Sequence, residues 1–390
     1  MRKQILFIPG PVTVAESVLA AAGQAMIDHR GPQFAAMQGR LVERLRPIFG
    51  TTGEIVLLGC SGTGGLEAAV VNTFAPGERL LACPVGFFGR RLAAIAQTHG
   101  CEVETLETAP GYALDPQALA ERLKADASRR IAGVLLTQNE TSTGVQNDMA
   151  AIAAVTREHG AVTIVDAVSG MGASEFRMDE WGFDVVVTAP QKVFAAPPGL
   201  AMVAVGAQVW QRIERNPMPR FYFDLLKARE FARQGQTPWT PPVSAYFALD
   251  EALDRYGRVG ARHVWMRLET YARAIRTGLE ALGISIFSQP GAHSPTVVAA
   301  RVPDGIDAGG LLRALREERG IVLSGGQAEL KGKILRIGTM GELSQADVLG
   351  ALGAIECELL ELGVPIRAGA GVAAALRVFR AEAPVPSDAG

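Results

Sequence analysis

Two residues at the ends of apolar runs could carry covalent chemistry. Lys192, in TAPQKVFAAPPG, follows the run DVVVTA and precedes a stiff Pro-Pro-Gly turn. Asp166 closes the run within AVTIVDAVSG. An amine and a carboxylate delivered by strand ends are what a pyridoxal phosphate (PLP) site uses. The lysine forms the Schiff base, and the carboxylate keeps a proton on the pyridine nitrogen so that the ring can take up electrons. Most lysines and aspartates are solvated surface charges. These two abut segments too apolar to hold an idle charge without a partner, which favours the functional reading.

A PLP site also needs a place for a phosphate, and EIVLLGCSGTGGLEAAVVNTF reads as strand, Gly-rich turn and helix. The first turn of a helix exposes backbone N–H groups that favour an anion. Ser61, Gly62 and Thr63 are placed to donate to a phosphate. A glycine cluster before a helix is by itself weak evidence, because structural turns use the same residues. Its weight comes from sharing an α/β unit with Lys192 and Asp166. No lysine follows the glycines, as a Walker A loop would require, and the dinucleotide pattern GxGxxG is absent at this turn.

The elements that must hold these residues are legible as a rhythm. From Glu54 onward, seven short runs (EIVLLG, RLLAC, EVETL, IAGVLLT, AVTIVDA, DVVVTA and LAMVAV) alternate with helical stretches such as FFGRRLAAIAQTHG and DMAAIAAVTREHG. Continuous apolar strands separated by helices predict an α/β fold with a mostly parallel sheet covered on both faces. The segment 212–242 is rich in aromatic, proline and charged residues and reads as a loop-heavy excursion. A helical pattern around Arg262–Leu282 leads into a second α+β unit, and the terminal APVPSDAG is expected to be disordered.

Composition narrows the partners. The chain has 390 residues, 48% hydrophobic and 20% charged, with a net charge of −2. That length favours two subdomains over one core, and the charge gives no reason to expect nucleic acid or an anionic membrane. No apolar run approaches the roughly 18 residues of a membrane span. The N-terminal MRKQILFIPGPV breaks at Pro9-Gly10-Pro11, too early for a signal-peptide core, so a cytoplasmic location is expected. Cys60, Cys83, Cys101 and Cys357 show neither C-x-x-C pairing nor a histidine cluster, so no metal site and no disulfide framework are expected. They read as small buried hydrophobes.

The motifs IPGPV, HRGPQF, SGTGGLEAA, ETSTGV, VDAVSGMGA, PQKVFAAPPG, TPWTPPV and LRIGTMG occur in this order along nearly the whole chain. In that order they resemble the class V PLP-dependent aminotransferases, close to the alanine–glyoxylate and serine–pyruvate (serine–glyoxylate) enzymes. The resemblance implies fold type I, with an N-terminal active-site loop over 1–14, a large cofactor-binding domain over 15–255, a small domain over 256–366 and a tail over 367–390. It also implies roles. Lys192 would bind PLP and shuttle a proton, and Asp166 would pair with the pyridinium. Thr141 would bond the ring hydroxyl, and Phe88 would stack on the ring where relatives often have Trp. Ser61, Gly62, Thr63 and Gln191 would hold the phosphate. Thr237 and Thr240 would complete that cup in a neighbouring subunit, which implies a homodimer with shared sites. Gly10 and Arg336 would bind substrate, Arg336 as a bidentate clamp on the α-carboxylate. Arg336 lies in the apolar run ILRIG, where an unpartnered guanidinium would be expensive.

Other residues favour plainer roles. His29 and Arg30 in MIDHRGPQF suit either the active-site entrance or, the favoured reading, a structural contact of the N-terminal loop at a subunit interface. PRFYFDL, with Tyr222 and Asp224, suits interface packing, with an edge contribution to the pocket as the alternative. The reaction expected from the resemblance is transamination from alanine or serine to glyoxylate or pyruvate. A desulfurase or C–S lyase fits poorly, because Gln191 rather than histidine precedes the lysine and SGGQAELKG has no cysteine. Decarboxylation stays open. Look-alikes labelled as soluble hydrogenase subunits suggest an accessory role, yet the scattered cysteines offer no redox-metal ligands.

Overall fold

The seven runs come together in one sheet. In a computed structural model of the chain, which describes residues 4–382, its order from edge to edge is Glu54–Leu58, Ala201–Val205, Val185–Thr188, Val162–Asp166, Ile131–Thr137, Arg79–Ala82 and Glu102–Thr105. Side chains alternate across it: Ile55 and Leu57 enter one core while Val56 and Leu58 enter another. Both faces are therefore buried, as uninterrupted apolar runs require. Helices Pro32–Phe49, Met149–His159 and Val243–Val259 cover the first face, and Gly62–Thr73 and Phe87–Thr98 the second.

One strand departs from the parallel pattern. Ala201–Val205 runs antiparallel to both of its neighbours. The cause is local: the connection after Thr188 is the loop that carries Lys192 and the Pro-Pro-Gly turn, with no helix in it. A strand reached without a crossover helix returns in the opposite direction. That loop thus stays at the carboxyl edge of the sheet, where parallel α/β folds place their ligands.

A further core gathers around the antiparallel strands Val297–Arg301, Ile334–Gly338 and Ser324–Gly325. Helices Ala261–Ala281, Ala308–Glu317 and Gln345–Glu361 pack on them through Leu279, Leu311 and Leu352. The start of the described chain belongs to this core. Ile5–Leu6 pairs in parallel with Ile321–Val322, Phe7 is fully buried, and the Gly338 amide donates to the Phe7 carbonyl at 2.7 Å.

Two stretches differ from the sequence reading. Residues 370–381, assigned above to a tail, form the helix Ala370–Ala381, whose Phe379 packs edge-on against Tyr271 at 6.0 Å. The disorder expected of APVPSDAG concerns residues outside the described range. The excursion over 212–242 contains the helix Leu225–Arg233, N-capped by Asp224, which accepts from the Leu226 and Lys227 amides.

Candidate active site

Strand ends and helix starts converge on a cavity of about 130 Å³. Asp166 reaches it from the end of its strand, Lys192 and Gln191 from the loop after Val185–Thr188, and Asn139 and Thr141 from the segment after Ile131–Thr137. Ser61, Gly62 and Thr63 enter at the start of Gly62–Thr73, where the Ser61 hydroxyl caps the helix by accepting from the Gly64 amide at 3.3 Å. Phe88 and Arg91 enter from the first turn of Phe87–Thr98. A roomier cleft of about 430 Å³ lies beside Val193, Phe194 and Tyr256, but it lacks the lysine and the aspartate.

Burial sets the charges of the central pair. Asp166 is 6% exposed, and removal from water pushes its carboxyl up to about 6, against a single opposing bond from the Val168 amide to Oδ1 at 2.9 Å. Its other oxygen has no donor among the described residues. Burial pushes Lys192 down to about 8; the nearby Asp166 opposes this, while Arg336 and Arg91 add to it. The ammonium donates to the Pro9 carbonyl at 2.5 Å. Gly10, at φ +111°, leaves room for this: a Cβ there would lie 2.6 Å from Lys192 Cδ.

Arg336 is 6% exposed in its strand, and burial lowers its pKa, with Glu140 opposing. Its Nε donates to the Gly325 carbonyl at 2.8 Å and Nη1 to the Thr141 carbonyl at 3.1 Å. Among the described residues no carboxylate pairs with it. A buried guanidinium oriented by two carbonyls and lacking a counter-ion is suited to an anionic ligand.

Thr237 and Thr240 do not reach this cavity. They line a separate, smaller recess with Tyr222 and Trp239, and the Thr237 hydroxyl donates to the Trp239 carbonyl at 2.7 Å. Arg30 fastens this segment by donating to the Thr237 carbonyl at 2.7 Å and to Gln236 Oε1 at 2.9 Å. Of the four cysteines, Cys83 and Cys101 are buried and Cys60 half-buried, whereas Cys357 is exposed on Gln345–Glu361, contrary to the expectation for all four.

Three polar residues near the site escaped the sequence reading. Arg91 lines the cavity, lies over the Phe88 ring at 4.7 Å and donates to Thr63 Oγ1 at 3.3 Å. Its signal was available, since it falls three residues after Phe88 on one helix face. Asn139 is buried between Ser169, Ser294 and Thr296. Glu140 is fully buried. Neither shows its main partners in the sequence, because Ser169, Ser294 and Thr296 for Asn139, and Phe88 and Gly89 for Glu140, are distant along the chain.

The cavity suits PLP. Its phosphate end has the start of a 12-residue helix, two hydroxyls, the Arg91 guanidinium and the side-chain amide of Gln191. Its ring region has Phe88 and Val168, a carboxylate oxygen free to accept from a pyridinium, and the Thr141 hydroxyl, which has no protein partner among the described residues. Its reactive end has the lysine.

The family model for class-V aminotransferases matches residues 17–343. A protein of Anabaena cylindrica named soluble hydrogenase 42 kDa subunit is 38% identical over 97% of this chain and 99% of its own length. The L-aspartate–glyoxylate aminotransferase of Paracoccus denitrificans is 37% identical over 96% of each. The crystal structure of pyridoxamine–pyruvate aminotransferase from Mesorhizobium loti superposes with a TM-score of 0.93 at 33% identity, covering 98% of both chains.

Proposed function

The chain belongs to the class-V aminotransferase family, and we propose that it moves an amino group from a small L-amino acid, alanine or serine, to glyoxylate or pyruvate in two half-reactions. It is a transaminase, and its cofactor is pyridoxal phosphate. The observation that carries the substrate reading is Arg336, a buried guanidinium near the lysine that bonds the carbonyl of Thr141 at the cavity wall and pairs with no carboxylate among the described residues. Acceptors named for relatives, glyoxylate and pyruvate, share the one carboxylate this grip requires.

When bound, PLP supplies the electron sink that makes the substrate Cα–H bond acidic. The residues do the rest. Ser61, Gly62, Thr63 and Gln191 hold the phosphate, with Arg91 adding charge. Phe88 and Val168 confine the ring, Thr141 bonds its hydroxyl and Asp166 holds the proton on its nitrogen. Arg336, on the strand whose Gly338 packs against Ile8 and Pro9 of the N-terminal loop, binds and orients the α-carboxylate, with Gly10 leaving room beside the lysine. Lys192 Nζ, with its depressed pKa, takes the Cα proton as a neutral amine and returns it on the other side of the transfer. The hydrogenase-subunit name of one relative implies redox metal, but the cysteines here are dispersed through the fold.

The reading includes a homodimer, a cytoplasmic location and a division near residue 256 between the large and small domains. Support for the dimer is the separation of Thr237 and Thr240 from their own cavity. Beside them the exposed Phe221 and Tyr222 stack on Trp239, an aromatic face suited to a partner subunit.

The purified protein is expected to take up PLP with visible absorbance, and L-alanine or L-serine should bleach it, with glyoxylate or pyruvate restoring it. Lys192→Ala should remove turnover while retaining weak PLP binding. Absorbance that responds only to L-aspartate would overturn the donor assignment, and turnover by Lys192→Ala would overturn the lysine.

A further inference from the structure

The helix Phe87–Thr98, which presents Phe88 to the cavity, begins at Gly86 and has no capping side chain of its own. Its first three amides are capped from elsewhere in the chain. The Phe88 and Gly89 amides both donate to Glu140 Oε2, at 2.9 and 3.0 Å. The Phe87 amide donates to Ser142 Oγ at 2.9 Å, and that hydroxyl in turn donates to Glu140 Oε1 at 2.7 Å. The Ser142 amide also donates to Oε1, at 3.0 Å. A Cβ at Gly86 would collide with Ser142 Oγ and the Glu140 side chain, so the helix start sits directly on this carboxylate.

We propose that Glu140 is the positioning residue for the aromatic platform, fixing where Phe88 stands against the cofactor ring. The inference rests on the PLP reading above. Glu140 is fully buried, which raises its pKa, and four donors oppose that shift: the Phe88 and Gly89 amides at the helix N-terminus and the amide and hydroxyl of Ser142. The residues beside it are also pinned. Asn139 donates to Ser169 Oγ at 2.8 Å and to Thr296 Oγ1 at 2.9 Å, and the Thr141 carbonyl receives Arg336. Three consecutive residues, 139–141, therefore connect the segment leading into the strand Val297–Arg301, the ring platform and the carboxylate grip. Glu140 does not line the cavity. Its absence from the cavity wall separates its effect from direct contact with cofactor; its charge also raises the pKa of Asp166 and Arg336, and the cycle with Phe88 isolates the share that runs through the helix start.

The test is a double-mutant cycle on cofactor affinity, using Glu140→Gln and Phe88→Ala in the full chain. The amide of Gln must present either an N–H₂ group to N–H donors or a single oxygen where two worked. Glu140→Gln should weaken PLP binding by about tenfold or more. It should weaken pyridoxal, which lacks the phosphate, by the same factor, and alter the circular dichroism of the bound cofactor in the visible range. In the Phe88→Ala background it should add less than about twofold, because the group it positions is gone. Ser142→Ala, which removes one donor and the cap of Phe87 while keeping the carboxylate, serves the same cycle if Glu140→Gln does not fold by thermal melting. Unchanged affinity and dichroism in either folded variant, or effects that multiply across the cycle, would refute the positioning role. A parent protein that takes up no PLP would overturn the cofactor reading and this inference together, whereas normal uptake beside an indifferent variant overturns this inference alone.

Discussion

Arg336 gives the sharpest test of how substrate is held, because its replacement should disturb the substrate and spare the cofactor. Two of its N–H groups are committed to the carbonyls of Gly325 and Thr141, which fix the plane of the guanidinium. The remaining N–H groups can offer a carboxylate a two-point grip. Lysine keeps the charge but offers one point and abandons at least one of the buried carbonyls. Loss of one charge-assisted hydrogen bond costs about 1.5–3 kcal/mol, and each 1.36 kcal/mol is tenfold, so kcat/KM should fall by about ten- to a hundredfold. The loss should appear mainly as raised KM, and for L-alanine, L-serine, glyoxylate and pyruvate alike, since all present the same carboxylate. A primary amine without a carboxylate should lose little. Steady-state kinetics on this panel, with the visible spectrum and PLP affinity as controls, would measure the pattern. Unchanged KM values beside a disturbed spectrum would make Arg336 a structural residue. The grip would then have to be sought elsewhere, since Arg91, the guanidinium that lines the cavity, stands at its phosphate end and Arg30 is committed to the Thr237 carbonyl.

Burial of Asp166 predicts a stability trend in the cofactor-free protein. A carboxyl raised from 3.8 to about 6 binds its proton more tightly when folded, so its contribution is full below about pH 3.8 and is lost as pH rises through about 6. Asp166→Asn should therefore gain on the parent by up to about 3 kcal/mol between pH 4 and 7 in denaturant melts, and parallel profiles would refute this. With PLP bound, the same variant should lose roughly one to two decades in rate, through loss of a charge-assisted bond; an unchanged rate would place the ring nitrogen elsewhere. Because Lys192 is held near 8, below the 10.5 of an ordinary lysine, the rate of PLP incorporation should rise through about pH 8 as the amine becomes neutral. A midpoint near 10 in stopped-flow absorbance would contradict that. Gly10→Ala should slow incorporation and reduce affinity, since its Cβ would press on the lysine; equal rates would show that the N-terminal loop yields freely.

Much of this was readable because local and global signals agree. Each apolar run became a strand of the main sheet, and Asp166 and Lys192 met because neighbouring parallel strands end at one edge. What stayed hidden depended on distance along the chain or on a missing element. The antiparallel strand Ala201–Val205 follows from the lack of a helix after Lys192, a negative feature that the alternation obscured. Helix Ala370–Ala381 follows a glycine-rich stretch and small residues that read as a tail until Phe379 finds Tyr271. Glu140 looks like any glutamate in ETSTGV, since the helix amides it caps lie 51 and 52 residues away along the chain. Composition carries no trace of such a cap.

The strand Ile5–Leu6 also bears on the order of events as the chain is made. Its pairing partner, Ile321–Val322, emerges from the ribosome some three hundred residues later, and its other anchor, Gly338, later still. At synthesis rates of about 5–20 residues per second, a nascent chain can finish the seven-stranded sheet, whose last strand ends at Val205, roughly 6–27 seconds before those anchors exist. Through that interval Asp166 and Lys192 stand at the sheet edge while the Pro9 carbonyl and Gly10 have no fixed place. Docking of the chain's first described residues is thus a late step governed by long-range closure, and the lysine gains its carbonyl partner only after nearly all of the protein has been translated.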